Sequence, residues 1–349
     1  MIRIHLSGPH ARRSPFAYPA LAPLFTSTIA QVDNPDEADL FLFSHILDLG
    51  DMAFDIVESW RKRPRPVVIL SEEPFWDTIW GGRPTERVIL AETRWGLVPT
   101  MQVNHVTSSV FRHDRIPYYL LTNHRFAAAY GARFPQLARR TPHAWREALH
   151  AAPWDVTFIF ERRPERFHDA AWPEASLFGL CAWRTDLAEL CPPDRTERLG
   201  PSWQGGPRRT ELADWFIDKI VRLDGRARLV GAVENTHHPD YLTEKLFDAF
   251  LCSARPIYWA APDHRIHDLG LAAPAWVNLH GLDATEAAEK ALAEGSCAAV
   301  TDETTDALHE TAVALANLFA APSAWVAERA RLAAALPAEL ERVLSESPL

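Results

Sequence analysis

Between residues 233 and 245 the sequence reads Val233-Glu234-Asn235-Thr236-His237-His238-Pro239-Asp240-Tyr241-Leu242-Thr243-Glu244-Lys245. An apolar run precedes this polar stretch and an apolar, helix-periodic run follows it. A loop that leads from a strand into a helix is a natural anion site. The first backbone N–H groups of the helix are free, and the helix dipole favours negative charge there. Lys245, in the first turns of that helix, adds a compact positive charge suited to a phosphate. Glu244 beside it suits either a pair with Lys245 or a hold on a sugar or ribose hydroxyl. The same residues also make a plain helix start, because Thr243 and the nearby acids cap a helix without any ligand.

His237-His238-x-Asp240 offers metal-ligand types within the same loop. Three ligands so close in sequence seldom reach one ion without a fourth from elsewhere. No His-x-x-His or Glu-x-x-His stands nearby to complete the set. The expectation is therefore no bound metal and no cofactor, with a metal-dependent hydrolase on His237, His238 and Asp240 as the contrary reading. Gly205-Gly206 is too sparse for a phosphate-cradling loop and reads as a turn. Trp76, Trp80 and Trp95 could stack on a sugar ring, although core packing explains most tryptophans.

The elements that must position these residues alternate between strand and helix. In the first part, residues 2–6, 38–43 and 66–70 read as strands, and residues 53–61 as a helix. The run at 66–70 ends on Ser71-Glu72-Glu73-Pro74. Short apolar runs separated by helical stretches predict a parallel sheet covered on both faces. The pattern weakens between residues 131 and 153, and the domain boundary is expected there. That gives an N-terminal domain of residues 1–150 and a C-terminal domain of residues 151–349. In the second, residues 154–160, 227–233 and 255–259 read as strands. Residues 211–223 and 243–251 read as helices, the first of them stopped by Asp224-Gly225. Strand, polar loop, helix and strand from 227 to 259 make one βαβ unit. The tail, 307–344, reads as two helices broken near Pro322. The fold class expected is α/β, two doubly wound, Rossmann-like domains facing a cleft, with the loop at 234–240 outside the carboxyl end of a strand.

A chain of 349 residues with 47% apolar and 23% charged residues is ordinary for a two-domain globular protein. The formal charge of -10 argues against nucleic acid as a partner, since binding it takes a basic surface. Cys181, Cys191, Cys252 and Cys297 show no Cys-x-x-Cys pairing, and reduced thiols are expected. No basic head with an apolar signal stretch stands at the N-terminus, and no run of about 18 apolar residues occurs. A cytoplasmic, bacterial protein without a transmembrane segment is expected. The tail carries basic residues at Arg329, Arg331 and Arg342 that would suit peripheral contact with a membrane. Glu328, Glu339 and Glu341 dilute that charge, so packing back onto the domains is the first expectation.

The stretch from Arg228 through Trp259 resembles the signature of the α-1,3/1,4-fucosyltransferases, glycosyltransferase family 10. The residues that carry the resemblance are Glu234-Asn235-Thr236, His238-Pro239-Asp240-Tyr241, Thr243-Glu244-Lys245 and Pro256-Ile257-Tyr258-Trp259. The resemblance implies the GT-B arrangement and a GDP-fucose donor held mainly by the C-terminal domain. It implies that Asn235 and Tyr241 contact the guanosine diphosphate, that Lys245 meets the diphosphate, and that Glu244 lies near the ribose or fucose ring. Glu234 is expected to orient the loop. The family's upstream arginine matches Arg184, in Phe178-Gly179-Leu180-Cys181-Ala182-Trp183-Arg184, although the usual Ser-Asn before it is missing. Arg115-Ile116-Pro117-Tyr118-Tyr119 resembles a family segment that closes the N-terminal domain, and is expected to be structural. Val233 stands where the family often has Phe, and Ala260 where Gly is common, so a donor other than fucose stays open.

Such a transferase would move L-fucose from GDP-β-L-fucose to a hydroxyl of a glycan acceptor with inversion, in protein glycosylation or in lipopolysaccharide or glycan biosynthesis. An inverting transfer needs one carboxylate to take the acceptor proton. The family places an acid after the strand corresponding to residues 66–70, which makes Glu72 or Glu73 the expected base. Two adjacent acids also raise one another's pKa, which suits a base. The alternatives are a same-fold transferase for another nucleotide sugar and a non-catalytic nucleotide- or glycan-binding protein.

Overall fold

A computed structural model of the protein describes residues 1–347. The chain divides into two units, one built from Met1–His124 with residues 323–347, the other from Arg125–Pro322. The expected boundary near residue 150 therefore moves to His124, and the last helix changes sides. The physical reason is local packing. Helices His124–Leu137 and Pro142–Ala151 bury Tyr130, Phe134, Trp145 and Leu149. Within the second unit, the Tyr130 ring lies 4.9 Å from Phe319 and 5.9 Å from Phe247. Helix Pro322–Glu346, by contrast, is tied to the first unit. The Glu328 carboxylate accepts the backbone N–H groups of Asp114 and Arg115, each at 2.6 Å, and Arg329 donates to the Ala20 carbonyl at 2.6 Å. Arg331 and Arg342 pair with Glu328 and Glu339 at 2.9 and 2.8 Å, so the basic groups of the tail are engaged by its own acids.

The first unit holds six strands: β1 (Ile2–Ser7), β2 (Ile29–Gln31), β3 (Leu40–Phe43), β4 (Val67–Leu70), β5 (Val88–Thr93) and β6 (Gly96–Val103). Their order is β2-β1-β3-β4-β6-β5, parallel except for the β5–β6 hairpin. Every residue of β3 and β4 is buried, as expected for parallel strands covered on both faces. Phe41, Phe43, Val67 and Ile69 form the core of one face with Ile56 and Val57 of helix Phe54–Lys62. β5 alternates exposed and buried residues, with Val88 and Leu90 outside, which is why the continuous-apolar pattern overlooked it. The chain goes from β1 outward to β2 and returns to the other side of β1 for β3. A crevice thus opens beyond the carboxyl ends of β1 and β3.

The second unit repeats this reversal. Its strands are β7 (Trp154–Ile159), β8 (Ala171–Trp172), β9 (Leu177–Gly179), β10 (Thr196–Leu199), β11 (Ala227–Gly231), β12 (Thr236–His237), β13 (Arg255–Tyr258) and β14 (Val277–Asn278). The parallel sheet runs β10-β7-β11-β13-β14, and β12-β9-β8 form a small antiparallel sheet. Val156, Phe158, Leu229 and Ile257 join Ala287, Ala288 and Ala291 in the core. The strand order reverses between β7 and β11. The βαβ unit expected over 227–259 is present as β11, helix Glu244–Leu251 and β13, with β11 and β13 parallel neighbours. Each unit is thus a parallel α/β sheet with a doubly wound strand order. No helix among the described residues is long and apolar enough to cross a membrane.

Candidate functional site

In the second unit, the crevice between the ends of β7 and β11 receives the side chain of Arg184. This residue sits in the first turn of helix Cys181–Leu190, directly after β9. Three anchors fix that helix start. Asp169 accepts the N–H groups of Ala182 and Trp183 at 3.1 and 3.0 Å, and the Asn235 carbonyl accepts the N–H of Leu180 at 2.9 Å. The Arg184 guanidinium then donates through Nη1 to the Val233 carbonyl at 3.0 Å, just beyond β11. It stacks 4.6 Å over the Phe160 ring, just beyond β7.

Arg184 is 3% exposed, its Nε has no hydrogen-bond partner, and no carboxylate pairs with it among the described residues. Other buried arginines are satisfied. Arg65 donates to carbonyls of Pro35, Ala38, Ser59 and Arg63. Arg228 donates to the carbonyls of Gly295 and Ala152 and pairs with Asp155. Arg255 meets the Pro274 carbonyl and pairs with Glu294 at 2.8 Å. A desolvated guanidinium without a counter-charge costs several kcal/mol, and an anion entering the crevice would offset that cost. The fixed fork of donors suits a phosphate.

The loop that follows β11 is held from within. Glu234 is buried, and its Oε1 accepts the N–H and hydroxyl of Thr243 at 2.9 and 2.6 Å. Its Oε2 meets Lys245 Nζ at 2.5 Å. Burial raises the Glu234 carboxyl above the usual range, against the pull of Lys245. Lys245 also donates to the Thr243 hydroxyl at 3.0 Å, so its charge is spent inside the loop in this conformation. Asn235 is half-buried. It lies where its own carbonyl ties the loop to the Arg184 helix.

Glu244 and Tyr241 lie deeper. Glu244 pairs with Lys219 at 3.2 Å, and Lys219 also pairs with Asp248. Burial pushes the Glu244 carboxyl up, but Lys219 and Lys245 outweigh it and hold it at about 2. Asp248, beside that charge, is pushed up to about 6, mainly by burial. Tyr241 is buried, and its carbonyl meets His264 Nε2 at 3.2 Å. The structure thus brings Arg184, Asn235, Glu234 and Lys245 to one loop junction, with Glu244 and Tyr241 packed beneath it.

The histidines of the loop do not converge as ligands. His237 is buried with its ring 4.7 Å from Trp259 and 5.1 Å from His264. His238 Nδ1 accepts the Asp240 N–H at 3.2 Å, while the Asp240 carboxylate pairs with Arg265 at 3.2 Å. No group of three or more His, Cys, Asp or Glu among the described residues could hold a metal ion. Cys181, Cys191 and Cys252 are buried free thiols and Cys297 is exposed and free.

In the first unit, Glu72 and Glu73 follow β4. Glu72 is 4% exposed and takes three side-chain donors. Its Oε1 accepts from Arg13 Nε at 2.8 Å and from the Tyr18 hydroxyl, and its Oε2 accepts from the Tyr118 hydroxyl at 3.0 Å. Burial raises its pKa while Arg13 opposes the rise. Glu73 takes the other arm of Arg13 at 2.8 Å and is 15% exposed. Nearer the β1–β3 crevice, His10 Nδ1 lies 2.7 Å from Asp48 Oδ1. The His10 backbone N–H donates to Asp48 Oδ2 at 3.0 Å. Gly8, at φ +87°, brings the turn against that carboxylate. A Cβ there would sit 2.4 Å from Asp48 Oδ2, so only glycine fits. His45 and Trp76 pack on the His10 ring at 4.6 and 5.6 Å.

No protein-family model matches the sequence, and no curated protein matches it. Among solved structures the chain is similar to two crystal structures, at 15% identity, with 88% of this chain and 81% of those chains covered. Their TM-scores are 0.44 and 0.43. Both are alpha1,3-fucosyltransferases, and one holds GDP-fucose.

Sequence reading missed Arg13, Tyr18, Tyr118, His10 and Asp48 as polar partners. Tyr118 was expected only to close the domain. A usable signal existed for His10, since Gly8-Pro9-His10 directly follows a strand, where ligands of open α/β sheets gather.

Proposed function

We propose that the protein is an inverting glycosyltransferase that takes L-fucose from GDP-β-L-fucose and passes it to a hydroxyl of a glycan. The observation that carries this reading is Arg184, a buried cation without a counter-charge among the described residues, at the strand-order reversal of the second unit. That is where a parallel sheet holds a nucleotide diphosphate. The family-like segment 234–245 supplies the rest of the donor site. Arg184 meets the diphosphate first, and Lys245 joins it by leaving Glu234. Asn235, half-buried at the same junction, offers polar contacts to the nucleotide. Tyr241 and Glu244 hold the floor of the loop. No protein-bound metal is required, because arginine and lysine neutralise the leaving diphosphate.

Thermal melting with GDP, UDP, dTDP and CMP, followed by turnover of GDP-fucose with N-acetylglucosamine-containing acceptors, tests the proposal. A selective upward shift with GDP and acceptor-dependent GDP release are expected. No shift with GDP and no GDP release with any acceptor would sink it. A second reading, the same transfer from another nucleotide sugar, is favoured by Ala260. This residue replaces the family's glycine, is buried, and is locked by Asn278 through its N–H at 3.0 Å and its carbonyl at 2.8 Å. A larger shift with UDP or dTDP than with GDP would decide for it.

A further inference from the structure

We infer that the protein pairs with a second copy of itself through the free edge of β5, strand to strand and antiparallel, about a two-fold axis at Leu90. The inference does not depend on the transferase reading.

β5 ends the sheet of the first unit, with β6 on one side of it. Its odd-numbered residues are already engaged. Ile89 and Ala91 enter the core beside Val98, and the preceding Arg87 pairs with Glu339 and Glu346 at 2.7 and 3.3 Å. The Gln102 N–H donates to the Arg87 carbonyl at 2.8 Å. By the alternation of an antiparallel ladder, the odd residues therefore turn their backbone groups toward β6. Val88, Leu90 and Glu92 turn theirs outward, where no strand pairs with them among the described residues. The side chains of the same residues lie on the open face. Val88 is 39% and Leu90 57% exposed, and Leu97, across from Glu92, is 62% exposed.

The other sheet edges are blunted. β2 has three residues and β14 has two. β10 carries Glu197 and Arg198, with Glu197 paired to Arg226 at 3.0 Å. A six-residue edge with apolar side chains outward, no proline and no lysine is a template for another strand.

Charge decides which strand fits. Glu86 stands just before β5 and Arg94 just after it. Glu86 is half exposed and 3.7 Å from Arg83. Arg94 donates to the carbonyls of Asp51 and Met52 at 3.2 Å and pairs with no carboxylate among the described residues. Its N–H is taken by the Gly50 carbonyl at 3.2 Å, so the free edge ends at Glu92. Antiparallel pairing with Leu90 opposite Leu90 brings Glu86 of each copy to Arg94 of the other. Both charges gain partners in one operation, and the apolar centre closes on itself. Val88 then faces Glu92, and each facing pair exchanges its backbone hydrogen bonds. Sliding the copies until Glu86 faces Glu92 sets like charges opposite. Sliding them the other way sets Leu90 against Glu92. A slip of one residue turns the open faces to opposite sides. The contact is small and belongs with transient interfaces, with a Kd on the order of 10–100 µM.

Sedimentation velocity of the full chain over roughly 1–500 µM is the test, and a monomer that gives way to a dimer is expected. Leu90→Lys sets two ammonium groups across the axis. It should weaken the dimer by at least about tenfold while the melting temperature stays within about 2 °C of the parent. Glu86→Arg and Arg94→Glu should each weaken it by roughly 5–10-fold, and the two together should restore it to within about threefold. Val221→Lys, at a position 73% exposed on the second unit, should change nothing. If Leu90→Lys fails to fold, the charge swaps decide. A parent that stays monomeric throughout would overturn the inference. So would a dimer that survives Leu90→Lys, a double swap no tighter than the single ones, or species that grow beyond a dimer, since two-fold pairing closes.

Discussion

The two units share a sheet plan and treat charge in opposite ways. In each, the strand order reverses beside the first strand, between β1 and β3 in one and between β7 and β11 in the other. At the first reversal each charged group has a partner, although carboxylates outnumber the one arginine. Arg13 is shared by Glu72 and Glu73, and His10 leans on Asp48. At the second, Arg184 stands buried and unmatched. A cluster whose cation is already paired has no call for an added anion. An unmatched cation is poised to receive an anion. The same topology therefore carries a paired cation in one unit and an unpaired one in the other.

The most forceful way to break this comparison is to remove one matched and one unmatched buried arginine. Arg228→Met leaves Asp155 in the interior with less compensation and should cost about 3–5 kcal/mol in chemical denaturation. Arg184→Met removes a charge that has no partner, so the unliganded protein should be as stable as the parent or more so. GDP affinity should nonetheless fall by roughly 100-fold, about 2.7 kcal/mol, in titration calorimetry. A loss of unliganded stability in Arg184→Met equal to that in Arg228→Met would erase the distinction.

Acid should separate the units next. His237, His238 and His264 in the second unit are held near 2, 4 and 4, mainly by burial. The first unit has His45 at about 4 and a smaller depression at His5, both from burial. A histidine kept neutral by the fold takes up a proton when the chain unfolds. Its stabilisation is thus complete at neutral pH and is lost as pH falls from about 6.5 toward 4. Hydrogen exchange should show the second unit losing protection first over that range. His237→Phe, which suits the ring contacts with Trp259 and Phe178, should reduce the slope of stability against pH by up to about 1.4 kcal/mol per unit. Equal acid sensitivity of both units would contradict this.

The smallest effect sharpens the matched cluster. Glu72→Gln weakens three donor contacts at once and should cost roughly 1–3 kcal/mol. Glu73→Gln weakens a pair that is more exposed than that of Glu72 and should cost about 1 kcal/mol. Denaturant midpoints measure both, and the reverse order would show that Glu73 anchors Arg13.

Much of the second unit was legible from the chain alone. The run 227–259 announces strand, loop, helix and strand, because its apolar periods switch from strand to helix and back. Thr243 caps the helix start with its own side chain, accepting the Lys245 N–H at 3.5 Å. The first unit was less legible. β2 has only three residues and β5 exposes alternate apolar side chains, so neither gives a continuous signal. The domain boundary was misplaced for a related reason. Tyr130 and Phe134 are ordinary helical residues until Phe319 and Phe247 arrive to bury them.

Residue types and short-range periods were enough to determine that this chain makes two parallel α/β sheets and that an anion-suited loop follows one strand. Only the tertiary structure decided which charges are spent. Lys245 and Glu234, eleven positions apart, consume each other. Glu72 takes three donors from side chains 46 to 59 positions away, while Arg184 finds no carboxylate among the described residues. Whether a charged group is partnered is a property of distance in space. A sequence fixes spacing along the chain, and the strand-order reversal then determines which distant side chains meet.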